Sequence, residues 1–174
     1  VVEKALEKGD LRALLGIYEA SNAIFSTIKH EELFEIVMDA AQKFLHADEC
    51  SLMLLNAEKR LYIAASRGLE QEIAEQVSLS VGERIAGRAA KVKRGYLLIN
   101  GLKNYAEFEG ISENSYIQSS IIFPLLCQDQ LLGVLNLSRT TNKNNFTPAD
   151  FRNSSVFASQ LALAIQNAEL YRTL

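Results

Sequence analysis

The chain has 174 residues, of which 48% are hydrophobic and 22% are charged, with a net charge of −3 at pH 7. This length suits one well-buried domain and is short for two. The near-balanced charge lacks the basic excess of a nucleic-acid-binding surface. No apolar stretch approaches the ~20 residues of a membrane-spanning helix, and no signal-peptide pattern opens the chain. Cys50 and Cys127 lack the close spacing of a zinc or redox pair, which favours a cytoplasmic protein.

The N-terminal part of the chain is predicted to be helical. The sequence begins at Val1 within a helical pattern, so we expect a fragment of a longer protein, with residues 1–10 as a linker or the end of a preceding domain. A first amphipathic helix is expected over residues 11–28, where Leu11, Tyr18 and Phe25 recur every seven residues. A second helix should begin after Lys29 and end near residue 46.

The middle of the chain predicts short strands and helices. Apolar runs at residues 50–55 and 61–65 are typical of a hairpin, because a polar break separates them. Short helices are expected over residues 71–77 and 83–93, followed by a strand at residues 96–100. Residues 101–118 show no periodicity, and their length is typical of a functional loop.

The C-terminal part predicts two strands, at residues 119–126 and 131–139, and a final helix. Thr147, Pro148 and Asp150 match the cap, the first helical position and the third residue of a capping box. The helix should carry two apolar stripes, one of which would pack on the sheet. Together the elements predict an α+β layered fold, with an antiparallel central sheet covered on both faces.

Several segments resemble the GAF family in order and spacing. They are residues 80–90 (SVGERIAGRAA), 123–125 (FPL), 132–137 (LGVLNL), 146–150 (FTPAD), and the helical pieces 158–162 (ASQLA) and 165–168 (IQNA). The resemblance implies a GAF domain over residues 11–174, with terminal helices on one face of the sheet and short helices plus loops forming a pocket on the other. It also implies a non-catalytic sensory domain of a bacterial signalling protein, such as a two-component system. Family members bind varied ligands or none known, so the ligand stays unidentified.

Five residues are expected to line the pocket that the resemblance implies. They are Arg84, Asn100, Tyr105, Tyr116 and Ser120. Arg84 stands where the family pattern has a second glycine, at the first turn of the pocket helix, where a cation could meet an anionic ligand. The alternatives are a solvated basic stripe for Arg84, Arg88 and Lys91, and a small satellite core for the aromatic residues.

Other chemistries find little support in the sequence. No catalytic cluster or metal site is expected, because His30 and His46 lack visible partner ligands. Two separated cysteines argue against the thiol-dependent sulfoxide reduction that some GAF-fold proteins perform. Asn142, Lys143 and Asp150 match part of a cyclic-nucleotide signature, but its final glutamate is replaced, and a capping box explains Asp150 equally well.

Two hypotheses for the function therefore remain. The first is a sensory domain that binds a small molecule and transmits the signal through its terminal helices. The second is a ligandless dimerisation and coupling module. In both, we expect a homodimer through the terminal helices, because their second apolar stripe, which includes Val156, Leu163 and Leu170, would need a cover. Neither hypothesis involves contact of this domain with nucleic acid or with a membrane.

Overall fold

The computed structural model of the chain describes residues 30–140 and 144–173. Within them, the α-helices are α1 His30–Leu45, α2 Gln71–Gln76, α3 Arg84–Val92 and α4 Pro148–Thr173, and a 3-10 helix spans Ala106–Phe108. The strands are β1 Glu49–Leu55, β2 Arg60–Arg67, β3 Ser78–Ser80, β4 Tyr96–Ile99, β5 Ile117–Cys127 and β6 Gln130–Thr140. Three predictions concern residues outside those described. They are the linker at residues 1–10, the first helix with Leu11, Tyr18 and Phe25, and the pair Asn142 and Lys143.

The strands form one antiparallel sheet in the order β3-β2-β1-β6-β5-β4. Gln128 and Asp129, with φ of 49° and 63°, connect β5 to β6, and left-handed backbone at both positions is typical of a tight hairpin turn. The predicted α+β fold with an antiparallel central sheet is confirmed. Strand β3 was not predicted, because three residues are too few to show an alternating pattern.

The sheet separates two hydrophobic clusters. On one face, α1 and α4 bury Met38, Phe157 and Leu161, which are at most 1% exposed. On the other face, α3 and the 3-10 helix bury Ala89 and Phe108, again at most 1% exposed. The central strands are therefore covered on both sides, and no helix within the described residues is long and apolar enough to span a bilayer.

Two local structures fix the ends of the helices that flank the sheet. At the start of α4, the Thr147 amide donates to Asp150 Oδ2 at 2.8 Å, and the Asp150 amide donates to Thr147 Oγ1 at 3.1 Å. This reciprocal pair is the predicted capping box. Before α3, the Gly82 amide donates to the Gly87 carbonyl at 2.7 Å. A Cβ on Gly87 would lie 2.5 Å from the Ser80 carbonyl oxygen, so any larger residue at this position would clash with the backbone of the turn.

Candidate ligand-binding site

A cavity of about 800 Å³ lies between the sheet, α3 and the long segment that follows β4. Cavities of roughly 300–1,000 Å³ are typical of small-molecule sites. The polar residues that line it include Glu49, Ser51, Arg84, Arg88, Asn100, Glu113, Tyr116, Ser120, Asn136 and Ser138. The apolar part of its wall includes Leu79, Ile85, Leu98, Leu102 and Ile122. The site therefore combines an apolar side with a concentrated group of polar side chains.

The polar floor of the cavity consists of Ser51, Ser120, Asn136 and Ser138 on three adjacent strands. Register pairs Ser51 with Asn136 and Ser120 with Ser138, so the four residues share one face of the sheet. The amide nitrogen Nδ2 of Asn136 donates to Ser51 Oγ at 3.1 Å, and the two hydroxyl oxygens of Ser120 and Ser138 lie 3.1 Å apart. These four residues place hydrogen-bonding groups on the cavity face of the three central strands, whose neighbouring side chains are mostly apolar.

The segment between β4 and β5 covers the cavity and is held by side chains. Arg88 of α3 donates through Nη1 to the carbonyl oxygens of Glu107 and Glu109, each at 2.8 Å. Glu113 accepts the Leu102 amide at 2.6 Å through Oε1. These bonds connect the segment to the pocket helix and to itself, which gives the cavity a defined wall in place of an open loop.

A side-chain contact between Tyr116 and Glu49 connects the end of this segment to the start of β1. The Tyr116 hydroxyl donates to Glu49 Oε2 at 3.3 Å. Burial raises the pKa of the Glu49 carboxyl, the hydrogen bond from Tyr116 opposes that effect, and the nearby Asp48 adds to it. Burial and the Glu49 charge likewise raise the pKa of Tyr116. The pair is therefore a partly desolvated contact at the cavity wall.

Arg84 has an unusual backbone and an exposed side chain. It begins α3 with a φ of 53°, in the left-handed region that favours glycine. Its guanidinium makes no hydrogen bond or ion pair with any residue that the structure describes, whereas Arg88 on the same helix makes two. Arg84 therefore supplies an unpaired positive charge to the cavity lining.

Four of the five predicted pocket residues border the cavity: Arg84, Asn100, Tyr116 and Ser120. Tyr105 lies elsewhere, since its hydroxyl donates to the Leu97 carbonyl at 2.6 Å and its ring centroid lies 6.2 Å from that of Phe108. This is the satellite-core alternative for an aromatic residue of the loop. Whether the other four bind a ligand stays a prediction.

Sequence reasoning missed most of the polar floor. Ser51, Asn136 and Ser138 interrupt strands whose other residues are mostly apolar, and a single small polar residue in such a run is a weak signal. The alternation of side chains in β6 does place Asn136 and Ser138 on one face. Only the pairing of β6 with β1 and β5 brings them beside Ser51 and Ser120.

A second polar cluster lies directly behind the floor, on the helix face of the sheet. Ser119 accepts the Phe146 amide at 2.9 Å through Oγ. The Arg139 side chain is 13% exposed. Its guanidinium donates to the carbonyl oxygens of Leu45 and His46, at 3.3 and 3.1 Å. It also donates to the carbonyl oxygens of Asn144 and Asn145, at 3.3 and 3.2 Å. We call Ser119, Arg139 and these carbonyl groups the helix junction, because they connect the end of α1 to the start of α4.

The two cysteines are far apart in the sheet. Cys50 pairs with Leu137 on β6, whereas Cys127 pairs with Gln130, seven residues away. At about 3.3 Å per strand residue, this places them roughly 23 Å apart, too far for a nucleophilic and a resolving thiol. Burial also raises the pKa of the Cys50 thiol to about 11. Among the described residues, no group of three His, Cys, Asp or Glu side chains could hold a metal ion.

The GAF domain family model matches residues 29–165 of the chain. The chain belongs to the GAF domain family. The formate hydrogenlyase transcriptional activator FhlA of Escherichia coli is 27% identical over 174 residues, which cover 95% of this chain and 24% of that protein. The corresponding activator of Salmonella typhimurium strain SL1344 is 26% identical over 173 residues, with the same coverage of 95% and 24%. The chain therefore spans only a minor part of the length of these relatives.

Solved structures share the fold of this GAF domain at lower identity. The GAF domain of an Acinetobacter phosphoenolpyruvate-protein phosphotransferase has a TM-score of 0.68 and 21% identity, covering 83% of this chain and 86% of that chain. The GAF-B domain of DevS from Mycobacterium smegmatis has a TM-score of 0.65 and 21% identity, covering 82% and 96%. Free methionine-R-sulfoxide reductase from Neisseria meningitidis has a TM-score of 0.68 and 15% identity, covering 92% and 90%. By their names, the proteins similar to this chain include transcriptional activators, a phosphotransferase and a reductase, so the GAF fold alone does not fix the activity.

Proposed function

We propose that this GAF domain is a non-catalytic sensor of a cytoplasmic bacterial signalling protein. It binds a small molecule in the cavity and transmits the occupancy of the cavity through its terminal helices. The observation that carries the proposal is the pairing of Ser120 with Ser138 on the cavity face, next to the pairing of Ser119 with Arg139 on the helix face.

The transmission step follows from the geometry of β5 and β6. Successive side chains of a strand point to opposite faces, so a ligand that shifts the Ser120–Ser138 pair also moves the backbone that carries Ser119 and Arg139. Arg139 contacts the end of α1 and the segment before α4, and Ser119 holds the Phe146 amide. A small shift on the cavity face therefore acts on both helices at one point.

Transmission also sets a thermodynamic condition. A ligand changes the packing of the helices only by binding two packings with different affinity. The helix junction could distinguish two such packings of the helices, because its hydrogen bonds are made in one packing and broken in the other. A regulatory role also fits the relatives, which are transcriptional activators by name. Their remaining length would contain the output regions that such a signal reaches.

A homodimer through the terminal helices is part of the proposal. In α4, Leu161 and Ile165 are 1% exposed and pack in the core, whereas Val156 and Leu163 of the other stripe are half-buried. On the neighbouring α1, Ile36 is 50% exposed. Leu163→Glu should reduce the dimer fraction in sedimentation without unfolding the domain. Ile73→Glu, at a position 54% exposed on α2, is the matched control and should leave the dimer intact.

A thermal-shift screen of a metabolite panel, followed by native mass spectrometry, tests the binding step. A compound bound one per domain at 100 times its Kd should stabilise the fold by about 2.7 kcal/mol. Ser138→Leu and Ser51→Leu, which fill the floor, should each abolish the shift, whereas Ser159→Leu on the exposed surface of α4 should retain it. A shift that survives both floor variants would place binding elsewhere. If no compound binds while the protein still dimerises, the ligandless coupling module replaces this proposal.

A further inference from the structure

We infer that the ligand carries an oxyanion, a carboxylate or a phosphate, which the Arg84 guanidinium and the hydrogen-bond donors of the floor bind together. The inference rests on the proposed function, since it names the ligand class of the same cavity. It follows from the hydrogen-bond donors of the floor that have no acceptor, from the charged residues of the cavity wall, and from the backbone conformation of Arg84.

The floor has more unused donors than its internal hydrogen bonds consume. Ser51 accepts from Asn136, which leaves the Ser51 hydroxyl hydrogen and the second amide hydrogen of Asn136 available. Ser120 and Ser138 share one hydrogen bond, so one of their two hydroxyl hydrogens is also available. Three donors on adjacent strands face a common space, and a ligand rich in acceptor oxygens satisfies them best.

The charged residues of the wall point to the same ligand class. Both carboxylates already accept internal hydrogen bonds, Glu113 from the Leu102 amide and Glu49 from the Tyr116 hydroxyl. The Arg88 guanidinium is held by two backbone carbonyls. Arg84 alone of these four charged groups has no hydrogen-bond or ion-pair partner among the described residues, so the charged group that remains free to pair with a ligand is a cation. A guanidinium binds carboxylate and phosphate groups through two parallel hydrogen bonds.

The backbone of Arg84 shows that this cation is kept at a cost. A φ of 53° is unfavourable for any residue with a Cβ, and the turn before it already uses a glycine, Gly82, at a φ of 99°. Within the described residues, the Arg84 side chain makes no hydrogen bond or ion pair that would compensate for this strain. Strained residues of this kind cluster at ligand sites, where the ligand supplies the missing interaction.

Matched pairs of compounds test the inference by thermal shift and calorimetry. Acetate is compared with acetamide, succinate with succinamide, and glycerol 3-phosphate with glycerol, with inorganic phosphate added. We expect an acid to raise the Tm and its neutral counterpart to have no effect. The carboxylate and phosphate arms distinguish the two possible oxyanions.

Arg84→Gly gives the decisive variant, because it removes the charge and relieves the backbone. Its own Tm should stay unchanged or rise by up to about 4 °C, while its affinity for the acid should fall about tenfold or more. Lys91→Gln, on the same helix, is the charge control and should bind the acid like the wild type.

The outcomes separate the two proposals. A neutral metabolite that binds in the cavity, with no acid doing so, overturns the oxyanion and leaves the proposed sensor standing. Equal binding of the acid by the wild type and Arg84→Gly removes Arg84 from the site. If neither the acids nor the wider metabolite panel bind, the proposed function itself fails.

Discussion

Removal of Arg139 should destabilise the domain more than removal of any surface arginine that forms an ion pair. Its guanidinium donates to Leu45 and His46 at the end of α1, and to Asn144 and Asn145 before α4. It also lies 4.2 Å from the ring centroid of Phe146. Truncation to alanine therefore leaves backbone carbonyls of two segments without their donor.

The magnitude follows from the contacts of Arg139. A hydrogen bond to a charged group contributes roughly 1.5–3 kcal/mol, but four bonds from one side chain are not additive. One such bond for each of the two segments gives a loss of about 3 kcal/mol in the free energy of unfolding. For a domain of this size, that loss corresponds to a fall in Tm of about 6–12 °C. Arg139→Lys keeps the charge without the planar fork, so it should retain only part of the stability.

Urea unfolding of Arg139→Ala, followed by circular dichroism, measures this loss. The matched control is Arg67→Ala, which breaks contacts from β2 to Glu35 and Asp39 on α1. These carboxylates are 58% and 69% exposed, and exposed ion pairs contribute about 0–1 kcal/mol. If Arg139→Ala costs no more than Arg67→Ala, the helix junction is not an energetic connection, and the transmission argument loses its basis.

Three further predictions concern the turns and the cavity wall. Gly87→Val should cost about 1–3 kcal/mol, because even a Cβ would lie 2.5 Å from the Ser80 carbonyl oxygen, and an unchanged Tm would contradict this close approach. Thr147→Ala should cost about 1 kcal/mol in urea unfolding through loss of the capping box, whereas Thr147→Ser should restore most of it. Burial raises the pKa of Glu49 above 4.5, so its contribution to stability is full below that value and is lost as pH rises through the folded pKa. Glu49→Gln should therefore gain stability relative to the wild type as pH rises from 4 to 7, and a constant difference would refute the shift.

The parts of the fold that depend on local chemistry could be predicted from the sequence. Thr147 and Asp150 lie three residues apart and form their capping box within one helical turn. Gly82 lies in the turn before α3 and Gly87 lies in α3, and a hydrogen bond from the Gly82 amide to the Gly87 carbonyl connects the turn to the helix. Such features need no knowledge of distant residues, and the family resemblance placed them in order along the chain.

The site depended more on tertiary pairing. Ser51 and Asn136 are 85 residues apart in sequence, and only the register of β1 with β6 brings them into contact. Tyr105 was predicted beside the ligand because irregular loops show no periodicity that would tell which side chains face inwards. The helix junction was missed for the same reason, since an arginine in a strand does not reveal which backbone carbonyls it will meet.

Hydrogen exchange with and without a saturating compound from the panel tests the central claim most directly. The claim is that occupancy of the cavity reaches the terminal helices through β5 and β6. We predict slower amide exchange at Ser120 and Ser138, together with a change at Phe146, whose amide donates to Ser119 on the opposite face of the sheet. Protection confined to the cavity face, with exchange at Phe146 and the first turn of α4 unchanged, would contradict the account.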